Sequence, residues 1–175
     1  GIGNFFESNC RFLMMHDNWS GFVIDSSKEL IEVLKKSYFY WKYNLKSTNA
    51  FIHKENINNL LLKSEFDFDL GLLSIDIDGN DYHVLCDITC VKPRVIVIEY
   101  NAKFPPPIQY CKQYNENHIW NGSDDYGASI EFYDKALNEM GYKFSFLQKR
   151  RELHRLAKKA ESSTRDSAKR ELNFK

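Results

Sequence analysis

No run of about 18 apolar residues occurs in the chain, so no membrane-spanning helix is predicted. No signal peptide is visible either. The four cysteines, Cys10, Cys86, Cys90 and Cys111, form no CxxC pair and have no paired-histidine spacing, which argues against a structural zinc site. Free thiols in a reducing compartment are expected, and with them a cytoplasmic location. There is no internal repeat. The basic carboxy-terminal tail lacks interleaved aromatic residues before Phe174, so nucleic acid is not the expected partner.

The 175 residues suffice for one domain with a core, and 43% of them are hydrophobic and 15% aromatic, which excludes a disordered chain. The 24 basic and 24 acidic residues balance. That balance hides an asymmetry, because residues 148–175 hold 10 Lys or Arg against 4 Asp or Glu. The body is therefore mildly acidic and the tail basic. Leu153, Leu156 and Ala160 give the tail only a thin apolar stripe, the pattern of a solvated helix or a disordered extension. The expected division is a folded body over residues 1–147 and a basic helical or disordered tail over 148–175.

Along the body, strand and helix patterns alternate. Gly21 to Asp25 (GFVID) reads as a short strand. Ser26 with Glu29 has capping-box spacing, and Leu30, Val33, Leu34, Tyr38 and Trp41 follow at helical spacing. Ala50 to His53 reads as a strand, with Asn56 placed to cap a short helix through Leu62. Leu70 to Asp76 and Arg94 to Tyr100 read as buried strands, with a helix over Tyr82–Ile88 between them. Lys103 to Pro107 opens a long loop. Ser129 to Met140 returns to helical spacing with Gly141 as its C′ residue, and Tyr142 to Leu147 alternates as a strand. Strands separated by helices predict an α/β fold with a mostly parallel sheet.

Several residues bear on chemistry. In GIGNFFESNC, Gly1 and Gly3 permit a tight turn and close backbone approach to a ligand, with a helix from about Glu7. One unit later, Asp25 can accept ribose hydroxyls of a nucleotide-like cofactor, although its plainer reading is a helix-capping acid. The dinucleotide fingerprint needs a third glycine, and that position is Phe6. A pyrophosphate cradle is thus disfavoured, whereas S-adenosylmethionine, which has no phosphate, needs only the turn and the ribose acid. The segment LLSIDIDGNDYHVL runs an apolar strand into Asp76, Asp78, Asn80 and Asp81, at the sheet edge where α/β folds bind ligands. An EF-hand is excluded, since its sixth position needs glycine and holds Asp81. Asp81 reads as the start of a helix. Asp76 and Asp78 could instead be a metal-binding DxD of a nucleotide-sugar glycosyltransferase, but that leaves the early GIG turn and the IEYN strand end unexplained.

The blocks GIGNFFESN, GFVID, KENINNLL, LLSIDIDGNDYHVL, RVIVIEYN and YGASIEFYDKALNEMGYKF, taken in order over residues 1–147, resemble the FkbM-type S-adenosylmethionine-dependent methyltransferases. The resemblance implies a Rossmann-like class I methyltransferase, a three-layer sandwich with a mostly parallel sheet. Because this chain opens at the glycine turn, the family's first strand, central in its sheet, is expected to be missing, and the basic tail departs from the family's last hairpin. The resemblance also implies roles. Gly1, Gly3, Asn4, Glu7 and Asn9 would line the methionine end of the cofactor, Asp25 its ribose and Asn56 its adenine. Asp76 and Asp78 would lie beside the sulfonium, and Glu99 and Asn101 would face a small-molecule or glycan acceptor.

Methyl transfer from a sulfonium is an in-line displacement, and a hydroxyl acceptor benefits from a general base. Asp78 and Glu99 are the expected catalytic residues, with His83 and His118 behind them. Tyr100, Trp120 and Tyr126 could stack on an acceptor ring, though aromatics at this density are more often core. The expected activity is O-methylation of a hydroxyl on a sugar or small molecule, with no resident metal. A metal-dependent glycosyltransferase and a non-catalytic cofactor-binding or interaction module are the alternatives.

Overall fold

The computed structural model describes residue 5 and residues 8–66 and 68–144. In chain order the elements are α1 (Arg11–Asp17), β1 (Gly21–Asp25), α2 (Lys28–Lys36), α3 (Tyr38–Lys42) and β2 (Leu45–Asn49), followed by α4 (Ile57–Leu62), β3 (Asp69–Ile75), α5 (Asp81–Asp87), β4 (Lys92–Ile98) and α6 (Ile130–Glu139). The fold is mixed α/β, and its strands pair in parallel in two small sheets, β1 with β2 and β3 with β4.

Each pair has its own apolar cluster. Met14, Val23, Ile31, Leu34 and Leu45 form the first, with Trp19, Phe39 and Tyr43 packed against it. Leu73, Ile75 and Leu85 form the second, joined by Ile77, Ile96, Ile98 and Leu137. The register matches Val23 with Ser47 in one pair and Leu73 with Ile96 in the other. Parallel pairing requires a crossover, and α2–α3 and α5 supply it.

The sequence reading locates β1, β3, α5, β4 and α6 to within two residues at each end, and Gly141 follows the C-cap of α6 with φ +88°. Five readings change. The helix expected from about Glu7 begins at Arg11, after a turn at Asn9–Cys10. The cap of α2 is Ser27, not Ser26: the Ser27 hydroxyl accepts the Leu30 N–H at 3.2 Å, while Asp25 Oδ1 accepts the Ser27 N–H at 2.7 Å. The long helix through Trp41 breaks at Ser37, whose hydroxyl caps a second helix by accepting from Tyr40 N. The buried face of α2 is consequently Ile31 and Leu34, and Val33, Tyr38 and Trp41 are exposed. The strand expected at Ala50–His53 is displaced to Leu45–Asn49, because pairing with β1 selects that register despite its polar residues. Tyr142 to Phe144 is not a strand; the rest of that expected strand and the tail lie outside the described residues.

Among the described residues no helix is long and apolar enough to cross a membrane.

Candidate functional site

β3 and β4 run side by side, Ile75 opposite Ile98, so the residues that follow them emerge together. Carboxylate oxygens of Asp76, Asp78 and Glu99 lie within 4.8 Å of one another, and all three residues are exposed. The loop after β3 is held by Asp81, which is 1% exposed. Its Oδ1 accepts from Ile77 N and its Oδ2 from Gly79 N, each at 2.9 Å. Burial raises the Asp81 pKa and these N–H donors act against that rise. Asp81 therefore closes the loop and begins α5, as its position in the sequence suggested. Asp78 sits within the closed loop at φ +58°, a left-handed conformation that aspartate tolerates better than most side chains.

Glu99 gains a proton affinity unusual for a carboxylate. Partial desolvation, then the charges of Asp76, Asp81 and Asp78, push its pKa up to about 7. Like charges this close resist joint ionisation. The group therefore exchanges a proton near neutrality, which suits a general base.

A second loop, residues 99–129, covers this end. Asn101 and Ser129 anchor it, and both are fully buried. The Asn101 amide donates to Asp124 O (2.8 Å) and Tyr126 O (2.9 Å), and its Oδ1 accepts from Lys103 N. The Ser129 hydroxyl donates to Ile108 O at 2.7 Å and accepts from Tyr110 N and Phe132 N. Asn80 ties this loop to the first one by donating to Asn115 O and accepting from Asn115 N. His118 rests on the Asp78–Gly79 backbone, its Nε2 bonded to Asp78 O at 3.1 Å. A Cβ on Gly79 would come within 2.3 Å of that ring, so only glycine permits the approach.

The residues singled out in the sequence separate into groups. Asp76, Asp78 and Glu99 come together, with His118 against Asp78. Asn9, Asp76 and Asp78 line one cavity, and the Asn9 amide donates to Ser74 Oγ. Trp120 and Tyr126 meet edge to face at 6.0 Å, and both Trp120 and Tyr100 are about half exposed. The nearby Glu99 charge, after desolvation, raises the Tyr126 pKa. Asn101 supports the loop rather than pointing out of it. His83 lies elsewhere: its Nε2 donates to Lys112 O at 2.7 Å and its ring meets Tyr114. Asp25 is 7% exposed at the end of β1. Asn56 organises the turn before α4, with Oδ1 accepting from His53 N and Nδ2 donating to Phe51 O. Gly1, Gly3, Asn4 and Glu7 lie outside the described residues. Asn80 was named in the sequence only as part of the polar knot and Ser129 only as a helix start, and neither carried a signal for its loop-anchoring contacts.

Comparison with known proteins returns no matching family, no matching curated protein and no matching solved structure.

Proposed function

We propose that the chain is built as an S-adenosylmethionine-dependent methyltransferase of Rossmann-like class I type, acting on a hydroxyl of a sugar or small molecule. In this reading β1–β2 and β3–β4 are parts of one mostly parallel sheet. One observation carries the functional proposal. Three carboxylates crowd together where two parallel strands end, beside a cavity lined by Asn9. Such a site complements a sulfonium cation electrostatically.

S-adenosylmethionine, if bound here, would supply a sulfonium methyl group for in-line transfer to an acceptor oxygen. The hydroxyl proton passes to a carboxylate. Glu99 is the base of choice, because its proton affinity lies nearest neutrality, and Asp78 is its neighbour. Asp76 would hold the sulfonium side, and Asp25, at the end of β1, would take the ribose. Tyr100 and Trp120, with the half-buried Tyr126 beside Trp120, offer ring surface to an acceptor.

The same carboxylate cluster supports a second reading, a divalent-metal DxD site of a nucleotide-sugar glycosyltransferase. Calorimetry separates the two. S-adenosylhomocysteine should bind in the presence of EDTA and NAD should not, and Asp25→Ala should weaken binding by ~1.5–3 kcal/mol through lost charge-assisted bonds. A Mn2+-dependent rise in melting temperature abolished by Asp78→Asn, with nucleotide-sugar binding, favours the second reading.

A further inference from the structure

Outside the carboxylate cluster, His53, Glu55 and Glu116 bring one nitrogen and two oxygen atoms within 4.8 Å of one another. His53 and Glu55 lie in the turn before α4, and Glu116 lies in the 99–129 loop. Tyr114 also joins these segments: its hydroxyl donates to Glu55 Oε2 at 3.2 Å and accepts from Lys54 N at 3.3 Å. His53 Nδ1 stands 2.9 Å from the same Glu55 oxygen. His53 is half-buried, and both glutamates are exposed.

Backbone contacts hold both segments in place. His53 N donates to Asn56 Oδ1 at 3.0 Å, and His53 O accepts from Asn56 N and Ile57 N. Asn115, next to Glu116, is tied to Asn80 by hydrogen bonds in both directions. An ion pair of His53 with Glu55 would account for one carboxylate. It leaves a second one, Glu116, close to the same imidazole. Lys54 is turned to other groups: its Nζ is 3.5 Å from Asp87 Oδ2 and 5.2 Å from the centre of the Tyr114 ring. With a neutral imidazole the cluster carries two negative charges, which one divalent cation offsets.

We propose that His53, Glu55 and Glu116 form a zinc-binding site that fastens the 99–129 loop to the turn before α4. The donor set selects the metal. Imidazole nitrogen with carboxylate oxygen suits Zn2+, whereas Mg2+ and Ca2+ take oxygen ligands. Zinc bonds of about 2.0–2.2 Å place ligand atoms ~3.3 Å apart. His53 and Glu55 lie close to that spacing, and rotation of the exposed Glu116 carboxylate closes the rest. A water takes the fourth position, as in other zinc sites with three protein ligands. The Tyr114 hydroxyl orients the Glu55 carboxylate, the part that hydrogen-bond partners of metal ligands play. The site shares no residue with the Asp76, Asp78 and Glu99 cluster, so it stands or falls separately from the methyl-transfer reading.

The test titrates Zn2+ by calorimetry into the full chain, stripped with EDTA and dialysed, with excess Mg2+ present to occupy all-oxygen sites. The expected result is one equivalent bound with a micromolar or tighter Kd, weakened by about 10-fold or more in His53→Gln and in Glu116→Gln. Glu116→Gln, at an exposed position, reports on the site without disturbing the core. Zinc should also slow hydrogen exchange across residues 114–118 by about 10-fold, and both variants should abolish that slowing. No zinc binding, or binding that both variants leave intact, would overturn the site. So would binding lost instead in Asp78→Asn or in Cys86→Ser. Binding that follows His53 but leaves exchange in the loop unchanged would overturn the fastening role.

Discussion

The two strand pairs close in different ways. At the end of β1, Asp25 is buried, one of its oxygens takes the Ser27 N–H, and the Asn49 amide donates to the carbonyls of Asp25 and Ser26. That end is stitched to its own backbone. At the end of β3 and β4, one buried acid does the stitching and three exposed acids are left crowded together. At the β3–β4 end an acid after a strand can thus be scaffold or site, and burial with two backbone donors sets Asp81 apart from Asp78. Asp81 and Asp78 are three residues apart and fall on opposite sides of that division.

The comparison breaks most severely at Asp81. Asp81→Ala leaves the buried Gly79 N–H and the part-buried Ile77 N–H without their acceptor and should cost ~2–4 kcal/mol in urea unfolding. Asp78→Ala, in an exposed position, should cost under ~1 kcal/mol. Equal losses would erase the distinction between scaffold and site.

A medium effect concerns pH. The folded-state pKa of Glu99 is raised from an ordinary 4.5 to about 7. Between those values the folded chain holds a proton that the unfolded chain has released. Its contribution is therefore fully present below pH 4.5 and is lost as pH rises through 7. Glu99→Gln should flatten that part of the stability profile, measured as the difference from the parent chain at each pH. A difference that does not change between pH 4.5 and 7 would contradict the crowding of charges at this end.

The β1–β2 end should give a smaller effect. Ser27→Ala should cost ~1 kcal/mol through the lost cap, and Ser26→Ala a few tenths at most. The reverse order would restore the capping box suggested by Ser26 and Glu29.

These cases indicate how far the sequence could be read. β3 and β4 were legible because their long apolar runs leave no other period. β2 was not, because Leu45-Lys-Ser-Thr-Asn49 has the mixed polarity of an edge strand and only pairing with β1 defines it. The break at Ser37 was hidden because Tyr38 and Trp41 continue the spacing of α2, yet their rings lie exposed and meet each other edge to face at 4.6 Å. Within the site, the grouping of Asp76, Asp78 and Glu99 could be anticipated from two strands ending in acids. The contacts of Asn101, Ser129 and His83 could not, because each reaches a carbonyl between 21 and 29 residues away.

The central claim is that the crowded acids complement a sulfonium. The most direct test is titration of S-adenosylmethionine and S-adenosylhomocysteine in EDTA from pH 5.5 to 8. The two ligands share every part except the charged methyl-bearing sulfur. The account predicts that the sulfonium form gains affinity over the thioether as pH rises, with a midpoint near 7 where Glu99 loses its proton. Equal affinities with no pH dependence, or binding that requires Mn2+, would contradict it.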